Sequence, residues 1–454
     1  MHHTTTHPIC ATADLGSDPG SVVVSILFRF ELHVLAALAA VGLASLCPAA
    51  EPRAFLATEA PFAATLEGID SDGNITFRVG DKLRVVSTRE LAYWGRYRDV
   101  EAGPQMILAG GSVIRADLLK LDDQSLVIGD ATGLGRGLWD QSTLPRSALG
   151  AIVWQPPAGT ADRDRLWHEL TTSAASEDRL LLVGGESLTG TLAAAPQGGP
   201  FLPEGTKPGQ SAFLWQSRGL PEPLAIPTSK VRAVQFANLP AARPARPALW
   251  IGCKDGSLVQ ATSIAAVGEK LTIKLVAGGE LATNSPGRSD DGPTFWSDVT
   301  WLQSAGGDVA WLSDQKTIGY KHIPFLSIDW PYENDMSVTG GRLRAGGAVF
   351  PKGLGMHTTS RLAYDVAGYR KFEAELSLDE TACRGGSAVY KVVLQGNDGA
   401  WQNAYESPVV RGGDAPVPVS VELKGATRIA LIVEFADRGD ELDHADWLQA
   451  RFVK

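Results

Sequence analysis

The sequence has few cysteines and no excess of positive charge, and each of these features argues against one class of protein. Its 454 residues include only four cysteines and carry a formal net charge of −10 at pH 7. A surface whose main partner is nucleic acid needs an excess of lysine and arginine, so the charge argues against that partner. Cys10 and Cys47 lie near the N-terminus. Cys253 and Cys383 are too few for a disulfide framework and are expected to be free and buried, or joined by one bridge.

Residues 51–302 also lack the motifs of common enzyme classes. They contain no His-Glu-x-x-His, no Cys-x-x-Cys, no phosphate-binding loop and no Gly-x-Ser-x-Gly. Their single histidine, His168, follows Trp167 on a short predicted helix and is expected to be structural. Catalysis needs facing carboxylates or an activated nucleophile, and the sequence nominates neither. We therefore expect a non-catalytic protein, with a hydrolase of unfamiliar site in residues 51–302 as an alternative.

An apolar run near the N-terminus has the features of an export signal. Arg29 precedes the apolar residues 34–44, and small residues follow at positions 48–50. A short apolar core that ends in small residues is typical of a cleaved signal rather than a membrane span. We expect residues 1–50 to be a signal peptide with a start site assigned too early, and the mature protein to be secreted, periplasmic or on the cell surface. An uncleaved anchor is the alternative, and only then is the membrane a partner.

Residues 51–302 contain a weak internal repetition rich in turns. The 49 glycines and 27 prolines make up about one residue in six of the whole chain, which favours β structure. Units begin near Gly111, Gly185 and Asp255, and each combines a turn with short strands broken by glycine or proline. Such units predict small barrels or sandwiches in series, or one larger β domain. This region could dock a protein partner, and residues 237–248 are expected to be a linker.

From residue 303 to residue 454 the predicted strands become frequent and alternate between apolar and polar residues. The clearest examples are residues 361–366, 372–378, 388–394 and 428–435. Alternating strands at short, even spacing, separated by Gly and Asp turns, are typical of an antiparallel sandwich with jelly-roll connections. The chain is therefore predicted to be all-β, with a C-terminal sandwich behind a β-rich repeat region.

Five ordered segments of the C-terminal region resemble the NPCBM family of modules, which belongs to the galactose-binding-domain-like sandwiches. They are Lys352–His357, Phe372–Ala374, Gly386–Val389, Arg411–Val419 and Asp443–Trp447. The resemblance covers about residues 307–454 and implies a jelly-roll sandwich that binds carbohydrate, in some members galactose-type sugars. It also implies an association with glycoside hydrolases and other secreted proteins. Residues 381–384 and Met336 depart from the family pattern, in loops near the implied site.

A sugar ring offers an apolar C–H face and a rim of hydroxyls, so a site for it needs an aromatic platform and polar groups around it. The candidate sugar-binding residues are Trp330, Tyr332, His357, Arg384, Arg411, Asp414 and His444. Each also has a structural alternative. Trp330 could belong to the core, His357 could bond to neighbouring backbone, and the arginines could pair with carboxylates of the module.

Three carboxylates near the C-terminus are candidate ligands for a structural Ca²⁺. Asp440, Asp443 and Asp446 offer the oxygen atoms that this ion prefers, although their spacing is not that of an EF-hand. The alternative is that they cap turns. The expected partner of the module is a glycan or polysaccharide; a structural or protein-interaction sandwich that binds no sugar is the alternative.

Overall fold

The computed structural model describes residues 51–454, apart from 133–136, 173–175, 195–211, 238–247, 268–269, 284–293, 326 and 438. The predicted signal peptide and most of the predicted linker lie outside the described residues. Pro52–Lys454 form one compact unit. Among the described residues, no helix is both long enough and apolar enough to cross a membrane.

The described chain consists mainly of short antiparallel strands, which confirms the all-β fold class. The strands up to residue 304 are β1 (Arg53–Leu56), β2 (Phe62–Ala63), β3 (Thr65–Ile69), β4 (Asn74–Val79), β5 (Lys82–Ser87), β6 (Leu91–Gly95), β7 (Gln105–Leu108), β8 (Val113–Arg115), β9 (Asp117–Leu121), β10 (Ser125–Gly129), β11 (Ser142–Pro145), β12 (Leu149–Val153), β13 (Asp178–Leu182), β14 (Ser187–Ala194), β15 (Ala212–Ser217), β16 (Leu224–Pro227), β17 (Val231–Gln235), β18 (Leu249–Cys253), β19 (Leu258–Val267), β20 (Lys270–Leu275), β21 (Glu280–Thr283) and β22 (Val299–Ser304). One α-helix is described, α1 (Thr160–Thr172), where a shorter helix was predicted.

The C-terminal strands follow after residue 308. They are β23 (Val309–Trp311), β24 (Gly319–His322), β25 (Glu333–Asn334), β26 (Leu343–Ala345), β27 (Ala348–Phe350), β28 (Gly353–His357), β29 (Ser360–Asp365), β30 (Lys371–Leu378), β31 (Ser387–Gly396), β32 (Trp401–Glu406), β33 (Val410–Arg411), β34 (Val417–Glu422), β35 (Ala426–Phe435) and β36 (His444–Val453). Single 3-10 turns occupy Arg146–Ala148, Thr228–Lys230, Phe295–Asp298, Leu312–Asp314 and Glu380–Ala382.

The strands before residue 305 join mainly into one large sheet. Its order is β16-β15-β14-β13-β17-β12-β7-β8-β19-β18-β22-β6-β1-β2, with β20 and β21 added beside β19. Two small sheets, β3-β4-β5 and β9-β10-β11, cover the same apolar core. The helix α1 packs through Leu166 and Leu170 against β7, β12 and β17. Most strands of the predicted units therefore share one sheet.

The C-terminal strands form a two-layer sandwich. One sheet runs β25-β28-β36-β30-β34 and the other β24-β29-β35-β31-β32. Trp447 of β36 points into the core between the sheets, where its ring lies 5.2 Å from the Tyr390 ring and 5.9 Å from the Phe372 ring. The alternating pattern of the sequence arises because each strand buries one face and leaves the other for different contacts.

The large sheet covers the outer face of the sheet that contains β30 and β36. Glu375 of β30 accepts a hydrogen bond from the Tyr93 hydroxyl at 2.6 Å and pairs with Arg96 at 2.5 Å. The amide of Val349, in the β26–β27 hairpin, donates to the carbonyl of Tyr97 at 2.9 Å. These contacts fix the sandwich against the large sheet through polar groups that are mostly shielded from water.

A second set of charges in this interface forms what we name the Arg344 network. It comprises Asp99, Arg163, Asp164, Arg342 and Arg344. Arg344 is 3% exposed and bonds both carboxylates, with its Nε 2.6 Å from Asp164 Oδ2 and its Nη1 2.9 Å from Asp99 Oδ1. Burial alone favours the neutral carboxyl, yet the guanidinium groups hold the pKa of Asp99 well below its usual range.

The cysteines differ from the expected pair of free thiols. Cys253 is buried with a free thiol, as expected, and this excludes a bridge between it and Cys383. Burial raises the pKa of the Cys253 thiol well above its usual value, so the group is unreactive at neutral pH. Cys383 is disulfide-bonded, so the expectation of a free thiol is wrong at that position.

Candidate functional site

Several loops meet at one end of the sandwich, and we name this surface the loop edge. It consists of residues 322–330, 357–359, 379–387, 411–414 and 435–444, without 326 and 438. The Asp443 carboxylate ties three of these loops together, because it accepts from the Thr358 hydroxyl at 2.8 Å and from the Ser387 amide at 2.6 Å. Gly386 has a φ of +70°, and a Cβ there would lie 2.3 Å from the carbonyl oxygen of Leu442. Only glycine fits this crossing of loops.

An indole stacked on an imidazole lies at the centre of the loop edge. The rings of Trp330 and His357 are parallel within 5°, with centroids 4.7 Å apart. His444 lies 6.0 Å from the Trp330 ring, and His322 lies 5.9 Å from the His357 ring. The Trp330 amide also donates to His322 Nδ1 at 3.2 Å. The indole therefore contacts two imidazoles, and the third imidazole binds the backbone of the same residue.

His357 and His444 are buried, whereas Trp330 is only half-buried. His357 is 4% exposed and His444 is 8% exposed, while Trp330 is half-buried. His357 Nδ1 lies 2.9 Å from the carbonyl oxygen of Thr358, and His444 Nδ1 lies 3.0 Å from the Thr381 hydroxyl. Buried imidazoles thus contact a half-buried indole, and the backbone contact expected as the alternative role of His357 is present.

Burial sets the charge of two groups at the loop edge, His357 and Asp443. It lowers the pKa of His357, although the Thr358 carbonyl and the Asp440 carboxylate oppose the shift. Burial likewise raises the pKa of Asp443 to about 6, despite the two hydrogen bonds that favour its charged form. At neutral pH the ring below Trp330 is therefore an uncharged imidazole, which stacks without the cost of burying a cation.

The other predicted sugar-binding residues are Arg384, Arg411, Asp414 and Tyr332, and not all of them reach the surface of the loop edge. Arg384 is exposed, and the guanidinium of Arg411 pairs with Asp437 at 2.6 Å. Asp414 accepts from the backbone amide of Arg411 at 2.9 Å. Tyr332 packs against Tyr320 and the sandwich core, with ring centroids 5.0 Å apart. The structure thus brings Trp330, His357 and His444 together, places the arginines and Asp414 on the same edge, and leaves Tyr332 beneath it.

Sequence reasoning missed His322, Thr358 and Thr381, which complete the cluster. Four histidines occur after residue 50, and three of them, His322, His357 and His444, meet at the loop edge. Their concentration in the last third of the chain was a usable signal. The two threonines carry no such signal, because hydroxyl residues are common in surface loops.

Asp440, Asp443 and Asp446 do not fit a Ca²⁺ site. Both oxygens of Asp443 already accept hydrogen bonds from Thr358 and Ser387. Asp446 lies fully buried beside the Asp379 carboxyl, and burial together with that neighbour raises its pKa well above the usual value. Within the described ranges, no three His, Cys, Asp or Glu side chains are grouped as metal ligands. Calcium dependence stays a prediction without assigned ligands.

The raised pKa of Asp443 leads to a pH-dependent stability. A carboxyl with a pKa of about 6 in the folded state and about 3.9 in the unfolded state keeps its proton up to a higher pH when the protein is folded. The free energy of unfolding is therefore expected to fall as the pH rises from about 4 to about 6, by at most about 3 kcal/mol from this group. Urea unfolding of the wild type and Asp443→Asn across this range measures the difference. A difference that stays constant with pH contradicts the assignment.

Comparison with known proteins identifies the C-terminal part of the chain. Residues 296–453 match the NPCBM/NEW2 domain family, which confirms the resemblance and includes β22 of the large sheet. A stretch of 115 residues is 34% identical to the "Putative endo-alpha-N-acetylgalactosaminidase" of Renibacterium salmoninarum and spans 25% of this chain but 7% of that protein. The chain thus corresponds to a small part of this relative.

Solved structures of CBM51 modules are also similar. The CBM51 of Clostridium perfringens GH95, in complex with methyl-galactose, is 19% identical and covers 32% of this chain and 99% of its own, with a TM-score of 0.28. The CBM51-2 and INT domains of Clostridium perfringens ZmpB, in complex with GlcNAc, are 22% identical and cover 44% and 42%, with a TM-score of 0.29. The tandem CBM51 modules of Sp3GH98 from Streptococcus pneumoniae are 14% identical and cover 78% and 88%, with a TM-score of 0.28.

Proposed function

We propose that this is an exported, non-catalytic protein whose C-terminal sandwich binds a glycan at the loop edge, with galactose-type or related sugars as ligands. The observation that carries the proposal is the half-buried Trp330 indole, stacked in parallel on the buried His357 imidazole. The NPCBM/NEW2 domain that contains both residues supports a carbohydrate ligand. The apolar run of residues 34–44 supports export.

The indole is suited to a sugar because it is held in place before the ligand arrives. The His357 ring covers part of it, and its backbone is fixed by the bond from the Trp330 amide to His322 and by the bond from the Tyr320 hydroxyl to the Trp330 carbonyl, at 2.5 Å. A platform that is already ordered loses little conformational entropy on binding. The C–H face of a sugar ring matches the apolar face of an indole.

Polar groups on the same edge match the hydroxyl rim of a sugar. Arg384, Arg411, Asp414 and Asp437 are exposed there, and planar guanidinium and carboxylate groups can each meet two hydroxyls. The pairing of Arg411 with Asp437 holds two of these groups in a defined position. In this proposal the large sheet carries the sandwich and gives the protein a surface for a further partner.

A second candidate function is that of a protein-interaction sandwich that binds no sugar. Exposed apolar side chains at the loop edge favour it, since Phe325 is 59% exposed and Ile328 is 65% exposed. Such side chains often mark a protein contact. The same side chains also suit contact with a longer glycan. Binding experiments with glycans distinguish a glycan contact from a protein contact.

A glycan-array screen of the full chain, with Ca²⁺ and with a chelator, tests the proposed function. We expect binding to at least one group of glycans, galactose-terminated ones included. A calcium requirement would mean that residues other than Asp443 and Asp446 hold the ion. Absence of binding to every glycan, at protein concentrations that detect weak modules, contradicts the proposal.

A further inference from the structure

Exposed apolar side chains form part of the loop edge, and most of them lie close to Trp330 in the chain. Ile323, Phe325, Ile328 and Phe435 are between 43% and 65% exposed. Exposed apolar side chains that lie near one another on a protein surface often mark a binding site. Three of the four lie in the same loop as Trp330, which places the patch beside the proposed sugar site.

Two aromatic rings form the ordered part of this patch. The rings of Phe325 and Phe435 meet edge to face, with centroids 6.2 Å apart and an angle of 76° between their planes. The loop at Gly439 approaches the same ring, since a Cβ there would lie 3.6 Å from Phe325. Phe325 is thus supported by Phe435 and by backbone, while more than half of it remains exposed.

The aromatic pair has a polar neighbour of the kind that a sugar requires. Asp437, two residues after Phe435, holds the Arg411 guanidinium at 2.6 Å, and both side chains are about half exposed. A ring face beside planar hydrogen-bonding groups matches the C–H face and the hydroxyl rim of a sugar. It repeats, at a second position, the chemistry proposed at Trp330.

We propose that Phe325, supported by Phe435 and flanked by Arg411 and Asp437, is a second subsite that binds a further sugar of the glycan held at Trp330. The inference rests on the proposed function and adds that the ligand is an oligosaccharide rather than a single sugar. Phe325 and Trp330 are five residues apart, so their Cα atoms lie within about 17 Å and one short glycan can contact both rings.

The test compares short and long ligands with the full chain by isothermal titration calorimetry. The probes are methyl β-galactoside and lacto-N-neotetraose, together with N-acetylglucosamine and chitotetraose. Each tetrasaccharide is compared with the single sugar of its own type, galactose or N-acetylglucosamine. For the type that the protein binds, we expect the tetrasaccharide to bind about tenfold more tightly than the single sugar. Phe325→Ala is expected to remove this gain and to change the affinity for the single sugar less than about twofold.

Two further variants define the contact. Phe325→Leu keeps an apolar side chain but loses the aromatic face, so it is expected to lose the gain as well. Trp401→Ala removes another exposed aromatic residue, on the edge strand β32, and is expected to leave both affinities unchanged. Matching melting temperatures of the variants and the wild type show that the fold is intact.

Several results would overturn the inference. Equal affinities for single sugar and tetrasaccharide, or an unchanged gain in Phe325→Ala, contradict a second subsite while leaving the Trp330 site in place; a patch that binds protein instead gives this result. A gain that survives in Phe325→Leu contradicts aromatic stacking. If none of the four probes binds and the array is also empty, the proposed function fails, and the inference fails with it.

Discussion

Replacing Trp330 with alanine is expected to lower the affinity of the full chain for its tightest array glycan by at least about thirtyfold. A central aromatic anchor typically contributes about 2 kcal/mol or more to a binding site, which corresponds to this factor. The reason is that Trp330 is half-buried, whereas the imidazoles beside it, His357 and His444, are less than a tenth exposed. Isothermal titration calorimetry with that glycan measures the loss.

The matched control for this variant is Trp401→Ala. Trp401 is 46% exposed on β32, so the change removes the same side chain from a different part of the same domain. We expect its affinity to stay within about twofold of the wild type. An affinity of Trp330→Ala within that same range would contradict the assignment of the site, whatever glycan is bound.

Replacing Arg344 with methionine is expected to destabilise the protein by about 3–5 kcal/mol. Arg344 bonds Asp99 and Asp164 in the interface, and methionine keeps much of its length while removing the charge. Removing one partner of a buried ion pair leaves the others uncompensated in a medium that solvates them poorly. Arg342 and Arg163 remain, so the loss is expected to fall short of unfolding the chain. Urea unfolding and thermal melting measure it.

A control at the surface separates this effect from general charge loss. Arg428 pairs with Asp365 at 3.3 Å, and both side chains are at least half exposed. Arg428→Met is expected to cost less than about 1 kcal/mol, because water and salt screen an exposed pair. If Arg344→Met costs no more than Arg428→Met, the buried network does not hold the sandwich to the large sheet.

The fold of the sandwich could be predicted because its strands carry their pattern locally. In β29 the residues Leu362 and Tyr364 face the core while Arg361 and Asp365 are exposed, and this alternation is visible in the sequence. The large sheet was harder to predict, because its strands pair with strands far away in the sequence and no local pattern specifies such pairs. For example, β13 pairs with β17, and β22 pairs with both β6 and β18. Internal repetition did not show whether the units share one sheet.

The site could be predicted only in part, for similar reasons. Trp330, His357 and His444 were found as aromatic and imidazole groups in turns near the family motifs, but their stacking depends on the crossing of loops that lie far apart in the sequence. The positions of the Asp443 and Asp446 carboxylates were harder still to predict. Asp443 and Asp446 are three residues apart and look like joint ligands. The start of β36 between them directs Asp443 to Thr358 and Ser387, and Asp446 to the buried carboxyl of Asp379.

The most direct test of the glycan site is ¹⁹F NMR of the full chain labelled with 5-fluorotryptophan. The chain has 12 tryptophans, and the signals of Trp330 and Trp401 are assigned as those that disappear in Trp330→Ala and Trp401→Ala. On titration with the glycan selected by the array, the Trp330 signal is expected to shift and saturate with the binding curve, while the Trp401 signal stays in place. A Trp330 signal that does not move while the glycan saturates the protein would contradict a sugar bound on this indole.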